Sequence, residues 1–163
     1  MRMNKFALIN SLFFLAASAA MTAPAAEPPR EIMGLRLEMT KEQARTRLQE
    51  IGTFERDERK QQQVWKVRDD SFSHLIIGVG KDEKLRFITA VAREDKEAKR
   101  LPYSEIGKLD AARQAGDVAI KNFNYEWNIP ADKNQPQTLV NGRGRDPKYL
   151  STYSLKRLGQ ADE

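Results

Sequence analysis

The alternating segment NFNYEWNI, residues 122–129, restricts most strongly what this chain can fold into. Its apolar residues alternate strictly with polar ones, so in an extended chain they all lie on one face. They are Phe123, Tyr125, Trp127 and Ile129. This period of two predicts a β-strand with one buried face. The aromatic face has two interpretations: it belongs to the core beneath a helix, or it binds a partner through Tyr125, Trp127 and, from a later strand, Tyr153.

A capped helix is predicted upstream, within GLRLEMTKEQARTRLQEIG, residues 34–52. Thr40 is a favourable N-cap, and Gln43 three positions later completes a capping box. An apolar stripe at helical spacing follows, formed by Ala44, Leu48 and Ile51. Gly52 is predicted to end the helix in the left-handed conformation that glycine adopts readily.

Several apolar segments predict antiparallel strands: Val64–Val67, His74–Val79, Leu85–Ala92 and two later segments, 138–144 and 149–158. A polar turn joins His74–Val79 to Leu85–Ala92. A second helix is predicted between Ser104, as its N-cap, and Gly116. The expected fold class is therefore α+β: a twisted antiparallel β-sheet with two helices packed on one face.

The N-terminus has the composition of a secretory signal peptide. Arg2 and Lys5 precede an apolar stretch from Phe6 to Ala20, and small residues follow. This stretch is shorter than the roughly 20 residues that a membrane-spanning helix needs. Cleavage after Ala19 or after Ala25 fits the small residues at both places, and we favour Ala25.

Export would place the mature chain in the periplasm or outside the cell. The predicted division is a signal peptide at 1–25, an extended leader at 26–33, a single α+β domain at 34–158 and a tail at 159–163. The chain has no cysteine, so the exported domain would depend on its core rather than on disulfides. Loss of Arg2 and Lys5 would lower the net charge from +5 to +3, and an exported protein is not expected to bind nucleic acid.

Catalytic residue combinations are scarce in this sequence. His74 is the only histidine and there is no cysteine, which excludes a multi-histidine metal site and a Cys–His pair. Ser71 and Ser73 lie near His74 in sequence, but no G-x-S-x-G turn presents either hydroxyl. Pairs of carboxylates occur in charged turns, which favours solvated surface over glycosidase chemistry. We therefore expect no enzymatic activity, no metal and no cofactor.

The segment NGRGRDP, residues 141–147, is the best candidate for ligand binding. Its two glycines expose backbone amides, and Arg143 and Arg145 present guanidinium groups suited to a phosphate or a carboxylate. It lacks the Lys-Ser/Thr that follows in a P-loop. A hairpin turn with solvated arginines is the alternative interpretation.

The first helix and the strands after it resemble the small exported modules related to β-lactamase inhibitor proteins and to outer-membrane assembly lipoproteins of the SmpA/OmlA type. Met39-Thr40, Ala44 and Leu48 stand where that motif has Met-Ser/Thr, an aliphatic residue and a leucine. Glu38 replaces the glycine usual before the methionine, and the lipoprotein cysteine is missing. The resemblance implies a binding or scaffolding role.

Two functional hypotheses follow from these observations. The first is an exported, non-enzymatic binding or scaffolding domain of the cell envelope, whose partner is another envelope protein. The alternative is a binder of anionic envelope ligands, lipopolysaccharide or glycan, through Arg143 and Arg145. Charge-driven binding of a ligand should weaken above physiological ionic strength, whereas apolar docking of a partner should not.

Overall fold

In the part of the chain that the structure describes, most of the regular structure belongs to one antiparallel sheet of eight strands. The computed structural model describes residues 27–58 and 61–159; the predicted signal peptide at 1–25 lies outside the described residues, as does the tail beyond residue 159. The strands are β1 (Gly52–Glu58), β2 (Gln62–Val67), β3 (Phe72–Val79), β4 (Leu85–Ala92), β5 (Arg113–Gln114), β6 (Phe123–Ile129), β7 (Thr138–Gly144) and β8 (Thr152–Arg157).

The sheet consists of two meanders placed side by side. Its spatial order is β1-β2-β3-β4-β8-β7-β6-β5, and every neighbouring pair is antiparallel. Consecutive strands pair within each half, and the halves meet where β4 pairs with β8, from Phe87↔Lys156 to Val91↔Thr152. We call this β4–β8 pairing the seam. Among the described residues, β1 and β5 are the two edges of the sheet.

The predicted α+β fold with two helices on one face is wrong, because the described residues form a β-rich fold with one α-helix, α1 (Lys41–Ile51). The predicted second helix is replaced by 3₁₀ turns at Tyr103–Glu105 and Leu109–Ala111, followed by β5. Between the turns, Lys108 is extended, and its carbonyl accepts the Trp127 indole N–H at 2.9 Å. None of the described helices is long and apolar enough to cross a membrane.

Helix α1 begins as the sequence predicts and ends differently. The Thr40 hydroxyl accepts the Gln43 N–H at 3.3 Å, and the Gln43 side chain accepts the Thr40 N–H at 3.0 Å. Gly52, however, has φ −164°, so the prediction of a left-handed terminus is wrong. The chain passes directly into β1, and a Cβ on Gly52 would lie 2.3 Å from the Lys66 carbonyl oxygen. Close approach of two strands, rather than a positive φ, is what requires glycine here.

One face of the sheet carries a continuous hydrophobic core. Ala44 and Leu48 of α1 are fully buried in it, together with Leu35 of the segment that precedes the helix. At the other end of the sheet, Tyr103 and its neighbours cover β6: the Tyr103 and Tyr125 ring centroids lie 4.7 Å apart. The connection after β4 is held there by an antiparallel bridge between Pro102 and Tyr149.

Candidate functional site

A cleft of about 830 Å³ opens where three connecting segments meet at one end of the sheet. These are the segment after β4 at 93–100, the 3₁₀ turn Val118–Ile120 before β6, and the segment between β7 and β8 at 145–151. Part of the cleft lining is apolar. It is formed by Ala92, Val118, Phe123, Pro147 and Leu150.

Backbone hydrogen bonds position these segments. The Ser151 N–H donates to the Arg143 carbonyl and the Ala92 N–H donates to the Ser151 carbonyl, each at 2.8 Å, so the segment after β7 is tied to two strands. Gly144 permits this approach, because a Cβ there would lie 2.8 Å from the Tyr149 carbonyl oxygen. The end of β7 therefore needs glycine for the cleft to form as it does.

Two of the cationic side chains that line the cleft are paired within the protein. Arg93 donates to Asp95 at 2.7 Å, and this bond holds the pKa of the Asp95 carboxyl below its usual range. Arg100 donates to Asp146 at 2.8 Å, and its guanidinium lies 4.1 Å from the centre of the Tyr149 ring. The pKa of Asp146 is also lowered, first by the backbone N–H of Lys148 and then by Arg100.

The other two cations, Lys121 and Arg145, have no side-chain hydrogen bond or ion pair within residues 27–58 and 61–159. Both residues are exposed. Glu94 also lines the cleft, and its carboxylate has no described partner either. After the two internal ion pairs are set aside, two cations face one carboxylate. The cleft therefore has a net positive charge that the described protein does not neutralise.

The structure separates the two arginines that the sequence analysis grouped. Arg145 lies beyond the end of β7 and lines the cleft. Arg143 lies within β7, its Nε donates to the Asn122 side chain at 3.2 Å, and it does not line the cleft. Residues 141–144 belong to a strand, so the turn itself begins only at Arg145.

The aromatic candidates lie in or against the core. Trp127 is 3% exposed and Tyr153 is 6% exposed. Tyr125 is half-buried, and its ring stacks on that of Trp127 with centroids 6.4 Å apart. The cover over β6 comes from residues 103–108 rather than from α1. The aromatic row is thus the inner face of the sheet at this end.

His74 lies beside a carboxylate but outside the cleft. Its Nε2 is 3.1 Å from a Glu55 carboxylate oxygen, and its Nδ1 is 3.0 Å from the Ser73 hydroxyl. The His74 and Glu55 side chains are 34% and 41% exposed, so the pair sits in a solvated environment. In the described part of the chain, no group of three or more His, Asp or Glu side chains is arranged to hold a metal ion.

Sequence reasoning missed Lys121, Phe123 and Glu94 as members of one site. Glu94 belongs to a charged run that reads as surface, and Lys121 precedes the alternating strand without any motif of its own. Only the pairing of β4 with β8, and of β6 with β7, brings their segments together. A correct strand order is the signal that would have found the site.

Comparison of the chain with protein-family models, with curated proteins and with solved structures gives no match. The geometry of the structure alone therefore indicates a β-rich domain with an amphipathic cationic cleft.

Proposed function

We propose that this chain is an exported, non-enzymatic binding domain of the cell envelope that holds an anionic ligand in the cleft at Arg145. One observation carries the proposal: Lys121 and Arg145 present their charges to the cleft without a described protein partner. Guanidinium and ammonium groups form strong, charge-assisted hydrogen bonds with phosphate and carboxylate oxygens. Lipopolysaccharide and acidic glycans are the envelope components that carry such groups.

Binding of a delipidated, phosphorylated oligosaccharide from lipopolysaccharide tests this proposal. Isothermal titration calorimetry would compare the unaltered chain with Arg145→Gln. Loss of one charge-assisted contact should weaken binding by about tenfold. Arg143→Gln is the matched control, because it removes the same charge two residues away and outside the cleft.

The dependence of the binding affinity on salt concentration, measured by the same titration, is a second test. Contacts between exposed charges are screened as the ionic strength rises, so affinity should fall steadily. Equal affinity of the unaltered chain and Arg145→Gln, or equal losses in Arg143→Gln and Arg145→Gln, would contradict the proposal.

The edge strand β1 supports a second candidate function, the docking of another envelope protein. Phe54 on this edge is 48% exposed and packs edge-on against Trp65, with ring centroids 5.4 Å apart. An exposed edge with an apolar residue is able to pair with a strand from another chain. A photo-crosslinking residue at Phe54 would capture that partner in cells, whereas one at Ser104 on the opposite half would not. Capture that disappears at high salt would count against apolar docking.

A further inference from the structure

We infer that the ligand of the cleft is an anionic amphiphile: a phosphate or carboxylate head held at Lys121 and Arg145, with an aliphatic chain lying over Phe123, Leu150 and Val118. This inference rests on the proposed anion-binding function and adds the chemistry of the rest of the ligand. The volume of the cleft, about 830 Å³, falls within the range of volumes found for small-molecule binding sites.

The apolar part of the cleft is the reason to extend the ligand beyond its anion. Leu150 is 5% exposed and belongs to the core. Phe123, at the start of β6, is half-buried and packs against that core. Val118 stands beside them with 71% of its surface exposed. A free phosphate or an acidic sugar would leave Val118 and the exposed part of Phe123 in water. An aliphatic chain would cover them, and burial of apolar surface is favourable.

The charges define where the head group lies. Arg93 and Arg100 are engaged by Asp95 and Asp146, so these two cations are satisfied before any ligand arrives. Lys121 and Arg145 remain, on the segments before β6 and after β7. They border the surface formed by Phe123, which pairs with Gly144 of β7.

Replacement of Glu94 should strengthen binding of the anion, whereas replacement of Arg145 should weaken it. The Glu94 carboxylate lines the same cleft without a described partner, and it repels an anion. Glu94→Gln should therefore tighten binding of an anionic head, by about threefold for a partly solvated charge, and should leave binding of an uncharged head unchanged. A purely hydrophobic site would show no such difference.

The closing experiment is a calorimetric titration of the chain, as purified from cells, with hexyl, octyl and decyl phosphate below their critical micelle concentrations. Full burial of a methylene would tighten binding about fourfold, and half-burial in an open cleft gives about twofold per methylene. Decyl maltoside, with the same chain and a neutral head, should bind at least tenfold more weakly than decyl phosphate.

Two matched pairs of variants assign the effects to the cleft. Val118→Thr should reduce the gain from chain length, whereas Ile120→Thr should not, because Ile120 is equally exposed at 71% but does not line the cleft. Arg145→Gln should remove most of the preference for phosphate over maltoside, and Arg143→Gln should preserve it.

The outcomes separate this inference from the proposed function. Affinity that is independent of chain length, with the dependence on Arg145 intact, would overturn the amphiphile and leave the anion site standing. Affinity for the alkyl phosphates that is unchanged by Arg145→Gln would overturn both, as would an absence of binding by every alkyl phosphate and by the phosphorylated oligosaccharide.

Discussion

Replacement of Gly52 by alanine tests the junction between α1 and β1. Gly52 is extended, with φ −164° and ψ −165°, so an alanine can adopt its backbone conformation. The obstacle is the neighbouring strand: the added Cβ would lie 2.3 Å from the Lys66 carbonyl oxygen and 3.1 Å from the Val67 Cα. Both are backbone positions, so relief requires β1 to move away from β2.

The expected cost combines two opposing effects. Overpacking against a rigid neighbour destabilises a protein by about 1–3 kcal/mol, and the backbone contact at Gly52 places it at the upper end. Alanine also restricts the unfolded chain, which stabilises the folded state by about 0.4–1 kcal/mol. The net loss in the free energy of unfolding should therefore be about 2 kcal/mol.

Urea unfolding followed by tryptophan fluorescence, to which Trp65 on β2 and Trp127 both contribute, measures this loss. With a typical slope of about 1–3 kcal/mol per molar, the midpoint should fall by about 1 M. Thr53→Ala is the control, because the exposed neighbouring side chain should change stability by about 0.5 kcal/mol or less. If Gly52→Ala is neutral or more stable than the unaltered chain, the steric argument is refuted.

Three other measurements test the fold. Thr40→Ala removes the N-cap of α1 and should cost about 1 kcal/mol in the same urea assay; no loss would contradict a functioning capping box. Acrylamide should quench fluorescence weakly, because Trp65 and Trp127 are both buried, and strong quenching would contradict their core positions. Burial raises the pKa of Tyr103 to about 12 and raises that of Tyr153 further. The stability that depends on their neutral forms is therefore present below pH 10 and is lost as the pH rises above 10, through about 12 for Tyr103. Alkaline unfolding should therefore shift to higher pH in Tyr153→Phe, and an unchanged midpoint would contradict this.

The features predicted correctly from the sequence are those determined by neighbouring residues. The Thr40 cap depends on Gln43 three positions away, and both side chains make the expected bonds. The alternation at 122–129 places a strand at Phe123–Ile129 because a period of two buries one face wherever the strand lies.

The failures arise from contacts between distant residues. Ser104 is predicted to be the N-cap of a second helix, but the Trp127 indole donates to the Lys108 carbonyl 19 residues away, and that bond needs an extended Lys108. Gly52 looks like a helix terminator, yet its neighbour across the sheet determines its role.

The candidate site shows the same limit. Arg143 and Arg145 are two residues apart in the sequence, but only Arg145 lines the cleft. Lys121 joins Arg145 only because β6 and β7 are adjacent, which no local pattern indicates.

The seam has a consequence for how the polypeptide reaches its native state. Thr89 and Ser154, whose hydroxyls meet there at 3.0 Å, are 65 residues apart in the chain, whereas each meander grows by hairpins between successive strands. Closing long loops is entropically slow, so the two halves should form early and join late. During that delay each half presents a complementary unpaired strand, and crowded refolding would let two molecules exchange halves.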